Sequence, residues 1–410
     1  MKKFMILLVV LTLLLCGCNQ VSNETVPTIP TDAVEPTAAE DTVPAATETT
    51  LPPEASTPEY TQQPMAAISM PLRTEYFLDG NNTVYYYTYQ DIYLNVQDQQ
   101  IADTIIIDFL SRREESHAIS QSLAADAESM YHGGENWNPH FFESVYSPTR
   151  VDLGVLSLFG RNVFYNGGNH PELECMAANY NMVTGEVLTL GSILTNADSL
   201  TLLCDQVTQQ MAELKGTYRL FDDYADAVQQ RFSREASYDE DWFFTADGLC
   251  FFFAPYEVAP YTSGIITVEV SYDKLVNIIS DEFFPAETDS SNGTIIAERF
   301  IDADIEGFTQ IAEVPLSEEG EQIFLHCDGL VRNVCLDYGS WNDDGTVFTE
   351  SASVFAAYVL SPGDGIIVTA DIPDTMPTLR LSFDSADEHI ILFISQSGKD
   401  GSILLLDDLI

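Results

Sequence analysis

The chain has 410 residues, enough for two or three domains that each bury a hydrophobic core of their own. Its 64 acidic and 16 basic residues give a formal net charge of -48. This charge excludes nucleic acid as a partner, because no Lys/Arg-rich surface is present to neutralise phosphates, and it favours basic or neutral partners.

The N-terminus has the pattern of an export signal. Lys2 and Lys3 precede an apolar stretch, residues 4–15, that has the length of a signal-peptide core and is too short to span a bilayer. The stretch ends in Leu15-Cys16-Gly17-Cys18, which resembles the lipobox of bacterial lipoproteins. Residues 1–17 are therefore predicted to be a lipoprotein signal peptide, and Cys18 the lipidation residue of an extracytoplasmic protein anchored to the cell membrane. The alternative is an ordinary cleaved signal peptide.

Residues 18–65 are predicted to form a disordered tether. Between residues 19 and 65 the chain is rich in Thr, Pro, Ala and Glu and contains no Lys or Arg. Such a segment cannot bury enough apolar surface to fold. A flexible chain of this length reaches roughly 40 Å, so it holds the following domain away from the membrane.

Residues 66–286 are predicted to form an α+β head domain, with helices packed on a mainly antiparallel sheet. The aromatic run 84–94 is typical of a strand. Apolar residues at helical spacing predict helices over 101–130, 196–214 and 221–232. Further strands are predicted at 150–159, 162–165, 175–183, 248–253 and 264–270.

Residues 294–410 are predicted to form a small all-β sandwich or barrel. Short alternating segments in this region are separated by turn-forming sequences. The turn sequences begin at Cys327, Asn342, Ser361 and Ser397.

Three blocks of the head carry a family resemblance. They are Val163-Phe-Tyr-Asn-Gly-Gly-Asn-His-Pro, Asn181-Met-Val-Thr-Gly-Glu-Val-Leu-Thr-Leu and Gly248-Leu-Cys-Phe-Phe-Phe-Ala-Pro-Tyr-Glu-Val-Ala-Pro-Tyr-Thr-Ser-Gly. Together they resemble the extracytoplasmic domain shared by PdaC-type peptidoglycan deacetylases and RsiV-type anti-sigma factors, and the likeness covers about residues 69–284.

The resemblance implies recognition of an envelope component. In RsiV-type proteins this domain binds lysozyme, and in the deacetylases it accompanies a separate catalytic domain. The sequence departs from both groups, since neither a transmembrane helix before the domain nor a deacetylase domain is recognisable. A sigma-sequestering role and deacetylation are therefore not expected.

The loop Tyr165–Pro171 is the candidate binding site. Gly167 and Gly168 permit a positive φ and a close approach of the backbone, which predicts a structural turn. Tyr165, Asn169 and His170 are the candidate binding residues. The alternative is a tight turn whose histidine bonds buried backbone groups.

The remaining chemistry-bearing residues do not form a catalytic pattern. The spacing of His, Asp and Glu predicts no metal site, and neither a cofactor motif nor a nucleophile motif is present. Five cysteines follow Cys18, namely Cys175, Cys204, Cys250, Cys327 and Cys335. This odd number argues against a disulfide framework and favours buried thiols, although Cys327 and Cys335 are placed to pair across a hairpin.

Taken together, the sequence predicts a cell-envelope lipoprotein without enzymatic activity that binds or senses a wall glycan or a wall-active protein such as lysozyme. It is expected to contact the membrane through its lipid anchor alone. The alternatives are an envelope hydrolase of unrecognised type and a purely structural envelope protein.

Overall fold

A computed structural model describes residues 64–133, 137–233, 241–286, 291–342, 344–373, 376–386 and 388–407. The predicted signal peptide, Cys18 and the predicted tether up to residue 63 lie outside these ranges. Met65, the last residue of the predicted tether, is buried, and its backbone N–H donates to Gln310 Oε1 at 2.8 Å. The folded structure therefore includes the C-terminal end of that segment.

The described ranges contain nineteen strands and five α-helices. The helices are α1 (Gln99–Met130), α2 (Leu190–Ile193), α3 (Ser199–Glu213), α4 (Tyr224–Phe232) and α5 (Tyr272–Leu275). The first ten strands are β1 (Ala67–Ser69), β2 (Leu72–Asp79), β3 (Asn82–Gln90), β4 (Tyr93–Asn95), β5 (His140–Val151), β6 (Val155–Tyr165), β7 (Glu172–Asn181), β8 (Trp242–Phe244), β9 (Gly248–Phe253) and β10 (Ile266–Ser271). The others are β11 (Ile295–Arg299), β12 (Gln310–Pro315), β13 (Glu321–Cys327), β14 (Val331–Trp341), β15 (Phe348–Leu360), β16 (Asp364–Ala370), β17 (Leu379–Ser385), β18 (Glu388–Gln396) and β19 (Ile403–Leu406).

A five-stranded sheet with the order β2-β3-β5-β6-β7 is packed against α1. The apolar residues Ile101, Ile105 and Phe109 recur at helical spacing, and the Asp98 side chain caps α1 by accepting from the Gln100 N–H. The Phe109 ring meets Tyr146 of β5 edge-on at 5.2 Å. These contacts hold α1 against one face of the sheet.

A second core joins α3 and α4 to the three-stranded sheet β10-β9-β8. Residues Leu203, Val207 and Met211 form the buried stripe of α3. On its other side the small sheet contacts the five-stranded sheet, where Phe159 packs against Phe243 at 4.9 Å and Phe252 at 5.3 Å. This contact covers one end of the sheet face opposite α1.

The C-terminal strands form two further sheets that share one hydrophobic core. One sheet has the order β11-β13-β16-β12, and the other has the order β19-β18-β17-β14-β15-β1-β4. Large side chains from both sheets fill the core, among them Phe355, Phe383 and Ile323. Strands β1 and β4 come from the predicted head, yet β1 pairs with β15 and with β4. The sheet therefore crosses the predicted boundary near residue 290.

The chain is a mixed α/β protein with mostly antiparallel sheets and few helices. Only β3–β5 and β12–β16 pair in parallel among the strands described. None of the four sheets closes into a barrel over the described residues, so the barrel alternative for residues 294–410 is wrong. The two C-terminal sheets share one core, but this core also includes Ala67 of β1 and Val145 of β5, so residues 294–410 do not form it alone. None of the helices in the described ranges is both long and apolar enough to cross a membrane.

The predicted strand over 150–159 is wrong, because a turn divides this segment between β5 and β6. The Asp152 carboxylate accepts hydrogen bonds from the backbone N–H groups of Gly154 at 2.8 Å and Val155 at 2.7 Å. An aspartate that bonds the backbone two and three residues ahead stabilises a turn. The apolar pattern on either side is continuous, so periodicity alone does not reveal the turn.

Candidate functional site

The candidate loop connects β6 to β7 and lies over His140. Gly167 has a φ of +90°, and a Cβ at this position would stand 2.8 Å from His140 Nε2. The His140 side chain is buried and stacks on Trp137 at 4.8 Å. Burial lowers the pKa of His140. The loop therefore rests on a buried imidazole, and Gly167 is the residue that allows this approach.

Gly168 differs from Gly167 in both respects. Its φ lies outside the left-handed region, and an added Cβ would make ordinary contacts at 3.6 Å or more. Asn169 and His170 follow as exposed residues. The turn thus depends on one glycine of the pair, and the polar residues after it face solvent.

His170 meets a second loop from a distant part of the sequence. Its ring lies 5.4 Å from that of Tyr261, whose ring lies 5.7 Å from that of Tyr256. His170 Nδ1 is 2.9 Å from the Pro171 carbonyl oxygen and 3.4 Å from the Tyr261 hydroxyl. Tyr256 is 64% exposed and Tyr261 is 45% exposed. We name these three residues, His170, Tyr256 and Tyr261, the loop patch.

The conformation of Tyr256 is unusual for a bulky residue, because its φ is +71°. The surrounding loop fixes this conformation. The Tyr256 N–H donates to the Ala259 carbonyl at 3.0 Å, and the Ala254 N–H donates to the Glu257 carboxylate at 3.1 Å. Backbone strain of this kind is concentrated at recognition and active sites, and here it presents an aromatic ring to solvent.

Tyr165 lies outside the loop patch and belongs to another aromatic group. It contacts Phe141 at 6.0 Å and meets the His140 ring edge-on at 5.7 Å. Phe141 in turn stacks on Tyr86 at 5.1 Å, and Tyr86 lies 6.2 Å from Tyr76. We name Tyr76, Tyr86, Phe141 and Tyr165 the aromatic strip. The structure therefore separates the candidate residues: His170 belongs to the loop patch, Tyr165 to the aromatic strip, and Asn169 to the exposed loop between them.

Sequence reasoning did not name Tyr76, Tyr86, Phe141, Tyr256 or Tyr261 as site residues. Tyr256 and Tyr261 stand in the third block of the family resemblance, so the sequence contained a signal for them. Tyr86 stands within three consecutive tyrosines, residues 85–87. Because such a run has no alternation of side-chain type, it does not show which ring faces solvent.

The cysteine side chains are poor nucleophiles. All five thiols are unpaired. Burial raises the pKa of Cys175 to about 11 and those of Cys250 and Cys327 to about 12. The thiols are therefore protonated at neutral pH. No group of three or more His, Cys, Asp or Glu side chains within the described ranges is arranged to hold a metal ion.

Part of this chain is similar to known proteins. The solved structures that match about half of this chain include two proteins of the DUF3298 family. A member of the DUF3298 family from Bacteroides fragilis NCTC 9343 is 16% identical, with a TM-score of 0.41, over 53% of this chain and 94% of that one. A DUF3298 family protein from Pseudomonas aeruginosa PAO1 is 14% identical, with a TM-score of 0.38, over 55% and 99% of the two chains. A search of curated proteins gives no significant match. Residues 192–273, which include Tyr256 and Tyr261 of the loop patch, match the family model described as a protein of unknown function, DUF3298.

Proposed function

We propose that this protein is a lipid-anchored component of the cell envelope that binds a basic, wall-active protein such as lysozyme through the loop patch. The single observation that carries the proposal is the meeting of His170 with Tyr261 across 91 residues of sequence. These residues come from the first and third blocks of the resemblance to lysozyme-binding anti-sigma factors. The proposed role is recognition, and it requires no catalytic step.

The chemistry of the loop patch supports a protein partner. Tyrosine supplies a large, rigid contact surface at low cost in conformational entropy and is enriched among residues that dominate binding energy. Tyr256 and Tyr261 present such surfaces beside an exposed histidine. The formal net charge of -48 favours encounter with a basic protein through long-range attraction.

Replacing both His170 and Tyr261 with alanine is expected to weaken binding of lysozyme by about tenfold or more. Both side chains are exposed, so the fold should survive. Calorimetric titration of lysozyme into the two proteins measures the change. The matched control is Tyr93→Ala, which removes a 48% exposed tyrosine on β4. Unchanged affinity in the double variant, or an equal loss in the control, would contradict the assignment of the loop patch.

The proposed anchoring is tested at Cys18. Cys18→Ala is expected to release the protein from membranes, since the lipobox-like sequence places the acceptor cysteine at this position. Cys16→Ala is the control and should leave the protein membrane-bound. Fractionation and metabolic labelling with a fatty-acid analogue measure both variants. Lipid remaining on the Cys18→Ala protein would show that another residue carries the anchor.

A further inference from the structure

The aromatic strip crosses four adjacent strands in exact register. Tyr76 of β2 pairs with Tyr86 of β3, Tyr86 pairs with Phe141 of β5, and Phe141 pairs with Tyr165 of β6. Neighbouring strands are about 4.8 Å apart, so the four rings follow a line of about 15 Å. This is the length of a short oligosaccharide and exceeds that of a single sugar.

The strip lies on the sheet face opposite α1. Successive side chains of a strand point to opposite faces, so Tyr86 points away from its neighbours Tyr85 and Tyr87. Tyr85 is on the helix side, where its hydroxyl donates to Ser120 of α1 at 2.9 Å. Tyr76 is 63% exposed, and the other three rings are partly exposed. The Tyr86 and Phe141 rings are nearly parallel, with centroids 5.1 Å apart and planes at 15°, so each covers part of the other's face. The Tyr76 ring is tilted by 41° to Tyr86 and is the most exposed of the four.

A row of polar groups runs beside the rings on the same face. Thr74, Thr88 and Glu143 stand two residues along their strands from Tyr76, Tyr86 and Phe141, and they pair with each other in the same order. The two threonine hydroxyls are 3.1 Å apart, and the Tyr86 hydroxyl donates to Glu143 Oε1 at 3.3 Å. The face therefore offers rings in one row and hydroxyl and carboxyl groups in the next.

The electrostatics of this face differ from those of the whole chain. The strip itself has no charged side chain. Burial raises the pKa of Glu143, while the Tyr86 hydrogen bond and the nearby Arg161 lower it. Arg161 is also one of the charges that lower the pKa of Glu350, so two carboxyl groups and one guanidinium lie near this face. The rings themselves are uncharged, so they suit a ligand whose contacting face is also uncharged.

We propose that the aromatic strip is a second binding site, distinct from the loop patch, that holds a polysaccharide chain of pyranose rings. A pyranose ring has an apolar C–H face and a rim of hydroxyl groups. The C–H faces pack on the strip, and the hydroxyl groups form hydrogen bonds with the adjacent polar row. Small-molecule sites generally combine an apolar surface with a few polar groups in this way. The site does not depend on the protein-binding role proposed for the loop patch.

The experiment measures binding of the full-length protein to a β-1,4-linked N-acetylglucosamine hexamer by calorimetry and to purified, protein-free peptidoglycan by co-sedimentation. The wild type is expected to bind both. Tyr76→Ala is expected to weaken binding of the hexamer by about fivefold, and Tyr76→Ala with Tyr165→Ala by about twentyfold or more. Tyr76→Phe keeps the ring and should retain the affinity.

Two controls accompany these measurements. Thermal melting of each variant checks the fold. Tyr76→Ala should keep the wild-type melting temperature, because the side chain is mostly exposed. Tyr256→Ala alters the loop patch and should leave glycan binding unchanged. The proposal is overturned if the wild type binds neither carbohydrate, or if the folded double variant binds both as the wild type does. The proposal is also overturned if the double variant loses affinity for lysozyme but keeps its affinity for both carbohydrates. The strip would then be part of a protein-binding surface.

Discussion

Asp152→Ala is expected to lower the free energy of unfolding by about 3–5 kcal/mol, because it leaves a buried arginine without its counter-charge. Asp152 Oδ2 accepts from Arg150 Nε at 2.6 Å, and both side chains are buried. Arg150 Nη1 also donates to the Tyr272 hydroxyl at 2.5 Å and to the Phe283 carbonyl oxygen at 2.6 Å. This network ties the end of β5 to the segment after β10.

The loss of stability in the Asp152→Ala protein has a second source. Its other carboxylate oxygen accepts from the Gly154 and Val155 N–H groups and forms the turn into β6. Asp152→Asn keeps an acceptor for this turn while removing the charge, so its loss should be intermediate. Urea denaturation measures all the variants.

The matched control is an aspartate in an exposed ion pair. Asp302 lies 3.7 Å from Arg299, and its side chain is 65% exposed. Asp302→Ala should change stability by about 1 kcal/mol or less, as expected for a surface ion pair. Equal losses for Asp152→Ala and Asp302→Ala would show that the buried arginine finds another partner or is hydrated.

Local patterns in the sequence predicted several elements well. The spacing of Ile101, Ile105 and Phe109 predicted a helix to Met130, and the structure has α1 over Gln99–Met130. The predicted helices at 196–214 and 221–232 correspond to α3 and α4, each shorter at its N-terminus. The turn sequences after residue 326 separate β13, β14, β15 and β16 and also β18 from β19. These elements were predictable because helix periodicity and turn chemistry depend on residues close together in the chain.

Long-range pairing was not predictable from the sequence. In the pairing of β1 with β15, Ile68 lies opposite Ala356. The sequence of neither segment indicates which strand it pairs with. The same limit applies to the sites. His170 was identified from its loop, but its neighbour Tyr261 is far away in sequence, and the aromatic strip requires the register of four strands. A pattern identifies a strand, whereas the choice of neighbour follows from the packing of the whole core.

Gly167→Ala is expected to destabilise the fold by about 2–4 kcal/mol, from the cost of a positive φ and from the displacement of His140. The φ of +90° is one that side-chain-bearing residues rarely adopt, and the new Cβ would lie 2.8 Å from His140 Nε2. His140 has little freedom to move, because its ring is in contact with Trp137 and Tyr165. Thermal and urea unfolding measure the change.

The neighbouring glycine is the control for this prediction. Gly168→Ala adds the same methyl group one residue later, where its Cβ would lie 3.6 Å from Asn166 Oδ1 and 3.8 Å from the His170 carbonyl oxygen. Stability should then change by about 0.5 kcal/mol or less. A large loss at Gly168, or none at Gly167, would contradict the account of the turn. Since Gly167 precedes His170 in the same loop, the Gly167→Ala protein should also bind lysozyme less well, whereas Gly168→Ala should keep both its stability and its affinity.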